Sequence, residues 1–138
     1  MPSVITKAIA LTFLIGATAS GAETTPCKGI DQNLTDARKA EFAAPIATEW
    51  GADHVTVNKY MGLKNWSIVY VDTPIGDPPF VFFKGDPTKT HYVTVWSGAA
   101  TIYEEQEMRR WTLKNAPGIP KQLAACFAWF VTPPHRDQ

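Results

Sequence analysis

Between positions 54 and 96 apolar and polar residues alternate with a period close to two. The alternation is clear in HVTVNKY (54–60) and THYVTVW (90–96), and between them stand two more strand-like runs that are largely apolar, NWSIVYVD (65–72) and FVFFK (80–84). That period marks strands, whose successive side chains point to opposite faces of a sheet. The breaks are brief: Gly62 after the first run, TPIGDPP (73–79) after the second, and Gly85-Asp86-Pro87-Thr88 after the third. Linkers rich in glycine, proline and aspartate turn a chain tightly and leave no room for the crossover that parallel strands need. An antiparallel meander is predicted.

On either side of these runs the period lengthens to that of a helix. In DARKAEFAAPIATEW and the two residues before it, Leu34, Phe42, Ile46 and Trp50 recur near helical spacing, with Thr35 or Asp36 placed to cap the start and Gly51 to stop the end. Pro45 lacks an N–H, so a kink or restart is expected there. After Gly98, residues 99–103 read either as a fifth strand or, with Thr101 and Glu104 as a capping box, as an early start to the helix EEQEMRRWTLKN. In IPKQLAACFAWFV, Leu123, Cys126, Phe127, Phe130 and Val131 make one apolar helical stripe, although 126–131 alone would also suit a strand. The fold class predicted is α+β: an N-terminal helix, a four- to five-stranded antiparallel meander, and two C-terminal helices packed on the sheet. It fills a single domain, 23–132. Pro133 and Pro134 end it, and 133–138 is expected to be a disordered tail.

The first 22 residues have a different character. Lys7 is their only charge, an apolar run from Ala8 to Ile15 follows, and Ser20-Gly21-Ala22 supplies the small residues of a cleavage site, with Ala17-Thr18-Ala19 as the nearest alternative. This is the pattern of a secretory signal peptide, and its apolar core is shorter than the roughly 20 residues of a membrane span. The expected location is periplasmic or secreted, with no membrane span in the mature chain. Export gives the two cysteines a reading: in an oxidising compartment Cys27 and Cys126 pair first as a structural disulfide. Basic and acidic residues number 13 each over the whole chain, and no basic cluster occurs, so a nucleic-acid partner is not expected.

The pleat sorts the strand residues unequally. Trp66, Ile68 and Tyr70, Phe80 and Phe82, and Tyr92, Thr94 and Trp96 fall on one face. Val69, Val71, Val81, Phe83, Val93 and Val95 fall on the other, with Ser67 and His91. Trp66, Tyr70, Phe80, Phe82, Tyr92 and Trp96 are therefore the candidate binding residues, with 73–79 as rim, because rings with polar handles suit recognition of a protein partner or small apolar ligand. The competing reading is that helices on both sides bury both faces.

Catalytic signals are weak. Val95-Trp96-Ser97-Gly98-Ala99 lacks both glycines of a nucleophile elbow, so Ser97 reads as a turn residue. Glu104, Glu105 and Glu107 stand at a helix start, where the dipole accounts for them. No metal-ligand spacing and no phosphate loop occurs in the sequence, so no metal and no cofactor is expected. The sequence favours a non-enzymatic binding module. The alternatives are a small hydrolase-like enzyme with a site around His91 and Glu104–Glu107, and an envelope structural or stress protein without a discrete site.

Overall fold

A helix opens the fold where a hydroxyl can satisfy its free N–H groups. The computed structural model describes Gly16 and residues 25–137, so the expected signal peptide, 1–22, lies outside the described residues except for Gly16. Helix α1 (Asp36–Trp50) begins where Thr35 Oγ1 accepts the Arg38 N–H at 3.1 Å, and ends at Gly51 in the left-handed conformation, φ 73°. It continues through Pro45 without restarting.

Strands β1 (Thr56–Leu63), β2 (Trp66–Asp72), β3 (Phe80–Lys84) and β4 (Tyr92–Trp96) form one antiparallel sheet in the order β1-β2-β3-β4. The meander predicted from the linkers is present, with its first turn displaced. β1 passes through Gly62 to Leu63, and the chain reverses at Lys64-Asn65, with Lys64 at φ 54°. Gly62 has another use. The Tyr60 side chain folds back over it, so a Cβ there would come 2.8 Å from Tyr60 Cζ. Its backbone also pairs with Asp31 through N–H···O bonds of 2.9 and 2.8 Å, which ties the N-terminal lead-in to the edge of β1.

No fifth strand forms at 99–103. Helix α2 (Glu105–Asn115) follows a loop, and α3 (Lys121–Val131) is helical throughout, including 126–131. The expected loose tail is shorter than predicted, because His135–Asp137 form a 3-10 turn. The His135 ring stacks on Trp129 at 3.9 Å, and Arg136 donates to the Gly98 carbonyl at 2.6 Å.

The sheet is covered on both faces. On one, Phe42, Ile46 and Ala47 of α1 meet Val57, Val69, Val71, Val81 and Phe83. On the other, Leu123, Phe127 and Phe130 of α3, with Met108 of α2, meet Met61, Ile68, Phe80 and Phe82. The Cys27–Cys126 disulfide joins the lead-in to the centre of α3. Among the described residues no helix is long and apolar enough to cross a membrane.

Candidate functional site

The six candidate aromatics separate into three groups. Phe80 and Phe82 are fully buried and Trp66 is 6% exposed, all beneath α2 and α3. They are core, which corrects the expectation that they contact a ligand. The cause is the apolar stripe of α3: its Phe127 ring meets Phe80 at 5.2 Å, Phe82 at 5.0 Å and Trp96 at 5.7 Å, all edge-on. Tyr92 is exposed but lies on the opposite face. A bulge between Phe82 and Phe83 pairs Phe82 with Thr94 and Phe83 with Tyr92, so Tyr92 joins the α1 side. There its ring lies 6.2 Å from Trp50, and its N–H donates to Glu49 at 2.8 Å. Tyr70 and Trp96 stay half-buried at the edge of the helical cover.

Tyr70, Phe80 and Trp96 are in register across β2, β3 and β4, and form an aromatic row near one end of the sheet. Tyr70 stacks on Phe80 at 4.4 Å, and the Arg136 guanidinium lies 5.8 Å from each of these two rings. Beyond the row, the loops 73–79 and 97–104 leave β2 and β4 at the same end of the sheet. They carry Ile75, Ile102 and Tyr103, which are 51%, 58% and 89% exposed. Three of the five large apolar side chains exposed among the described residues thus stand at this end. Lys59, paired with Tyr70 on β1, places its ammonium 4.4 Å from the Phe130 ring centre, and burial lowers its pKa.

A second feature occupies the opposite face and the opposite end. Between α1, the β1–β2 hairpin and the loop after β3 is a recess of about 300 Å³, lined by Arg38, Glu41, Tyr60, Lys64, Ser67 and Asp86, among others. Arg38 lies 4.2 Å over the Tyr60 ring while NH1 donates to Asp31 at 3.0 Å and to the Asn33 carbonyl at 2.7 Å. Burial raises the Tyr60 pKa, with Arg38 acting against it and Asp31 and Asp86 adding to it. Tyr60 therefore stays protonated through neutral pH. Ser67 pairs with Gly62 in the hairpin register and is only 3% exposed, and its Oγ has no hydrogen-bond partner in the chain. Leaving such a group unpaired costs about 1–3 kcal/mol. The sequence reading missed this recess. Its one legible sign was a serine ahead of Val69 and Val71 on the aliphatic face.

Two carboxylates near the recess predict the acid behaviour. The Asn33 N–H holds the Asp31 pKa below the ordinary aspartate value; burial opposes it, and Arg38 adds to the lowering. The Thr88 N–H and hydroxyl, at 2.8 and 2.7 Å, do the same for Asp86. Both pKa values are lower folded than unfolded, so each group stabilises the fold above about pH 4 and that contribution is lost as pH falls through the folded value. Urea unfolding at stepped pH should show stability declining below about pH 4, with a shallower decline for Asp31→Asn combined with Asp86→Asn. Equal slopes would contradict the assignment.

The alternative catalytic cluster is not assembled. His91 lies just before β4, exposed and 3.2 Å from Glu49, whereas Glu104–Glu107 follow β4 at its other end. Among the described residues no hydrogen bond or ion pair joins His91 to Glu104, Glu105 or Glu107. Glu104 instead accepts the Thr101 N–H at 2.6 Å, which lowers its pKa. Ser97 lies in the loop leaving β4. Among the described residues no group of three or more His, Cys, Asp or Glu side chains is placed to hold a metal ion.

These features define a disulfide-linked α+β domain, with one helix on the first face of a four-stranded meander and two helices on the second. Compared with protein-family models, curated proteins and solved structures, the chain finds no match.

Proposed function

We propose that the chain is a non-enzymatic binding module, exported to the periplasm or beyond, that recognises a protein partner through the loop end of its sheet. Export rests on the leader-like first 22 residues and agrees with a disulfide, which persists in oxidising compartments. The observation that carries the surface is Ile102-Tyr103, two adjacent large apolar side chains 58% and 89% exposed. Ile75 on the loop leaving β2 and the half-buried Tyr70 and Trp96 stand at the same end of the sheet. Projecting apolar tips insert into a partner's groove, whereas a small apolar ligand needs a concavity that encloses it. The aromatic sheet face offers no such concavity, since α3 fills it.

The test is affinity capture from the native compartment with the mature chain and with an Ile102→Ser, Tyr103→Ser variant. Neither side chain is core, so the variant should unfold within about 0.5 kcal/mol of the parent. It should nevertheless lose the captured protein by at least about tenfold, as removal of interface anchors does. Equal capture by both chains, or capture of nothing by either, would defeat this reading.

A further inference from the structure

We propose that the recess between α1 and the β1–β2 hairpin is a second binding site, for a small, neutral, hydroxyl-rich molecule with about the bulk of a single sugar ring. It lies on the other face and at the other end of the sheet from the loop surface, and does not depend on that surface having a partner. Its volume, about 300 Å³, is at the lower end of the range for small-ligand clefts, about 300–1,000 Å³.

Charge narrows the class of ligand. Arg38 is held by Asp31 and the Asn33 carbonyl, and Asp86 by Thr88. Of the remaining charged groups on the lining, Lys64 and Glu41 have opposite sign. Neither an anion nor a cation finds an excess of counter-charge. What the recess offers is hydroxyl chemistry. Tyr60 folds back over Gly62, and Ser67 is the cross-strand partner of that glycine, so the two hydroxyl-bearing side chains share one face of the hairpin with no Cβ between them. Each hydroxyl can donate and accept, as a ligand hydroxyl can. Ser67 is the second, independent sign of a ligand. Its neighbours on this face, Val69 and Phe83, are apolar, and alanine would fill the position without an unpaired oxygen.

The experiment titrates isotopically labelled chain with glucose, galactose and mannose, with acetate and choline as charged controls. Amide shifts are followed by NMR, and the Ser67→Ala and Tyr60→Phe variants are carried alongside. At least one sugar should give saturable shifts confined to 38–42, 60–67 and 85–87. Ser67→Ala should weaken that binding about tenfold, the factor for one lost hydrogen bond, while melting no lower than the parent. Tyr60→Phe should weaken it also. The proposal is overturned if no sugar saturates, if only acetate or choline does, or if Ser67→Ala melts lower and binds as before.

Discussion

Replacing Phe80 by alanine is expected to lower the unfolding free energy by about 3–5 kcal/mol, the range for truncating a buried aromatic residue. Phe80 is fully buried at the start of β3, and its ring touches Tyr70 at 4.4 Å, Phe127 at 5.2 Å, Trp96 at 5.9 Å and Phe130 at 6.0 Å. Four ring contacts vanish together, and neighbours anchored on β2, β4 and α3 cannot all collapse into the space. Urea denaturation should show a lower midpoint with the slope unchanged. The residue discriminates between two pictures of the sheet. On an open recognition face its loss would weaken binding and spare the fold, so a destabilisation under about 1 kcal/mol would mean that α3 does not seal this side.

The second large effect is expected at the disulfide. Changing Cys27 and Cys126 together to alanine should cost about 2–5 kcal/mol, and the chain-entropy account for a loop of this length gives about 4–5 kcal/mol. The two cysteines are 99 positions apart, so the bridge restrains most of the unfolded domain. It also acts on one particular junction. Cys27 belongs to the lead-in whose Asp31 pairs with Gly62, and Cys126 is fully buried in α3, with its sulfur 3.7 Å from that of Met61 on β1. The double change is required because either single change leaves a buried thiol without its partner. A steeper dependence on urea should accompany the loss, since an unrestrained unfolded chain exposes more surface. Unchanged stability and slope would remove the bridge as a structural element.

Much of the architecture was legible because it rests on local rules. Short runs rich in β-branched and aromatic residues at 66–72 and 80–84 named the strands, and short linkers made them antiparallel. Thr35 and Gly51 marked both ends of α1, and the stripe from Leu123 to Val131 marked α3. The misreadings have a common cause in contacts between distant segments. Gly62 looked like a turn, yet it lies inside β1, where Tyr60 folds over its bare backbone and Asp31 pairs with it. Tyr92 looked like a neighbour of Trp96, but the bulge opposite Phe82 and Phe83 moves it to the other face. The tail looked loose, yet Trp129 and the Gly98 carbonyl hold His135 and Arg136.

The candidate site divides in the same way. By itself the sequence determined which strand side chains share a face, apart from the one shifted by the bulge, because the direction of a side chain along a strand is a property of the local backbone. It also pointed to the pairing of Cys27 with Cys126, since these are its two cysteines. Only the tertiary structure decided which of those faces water can reach. Docking of α3 turned the aromatic side into core, packing of α1 left Ser67 without a hydrogen-bond partner beside Tyr60, and the loops beyond β2 and β4 carried Ile75, Ile102 and Tyr103 outward. Cover is set by elements far apart in the chain, and no periodicity within one strand records it.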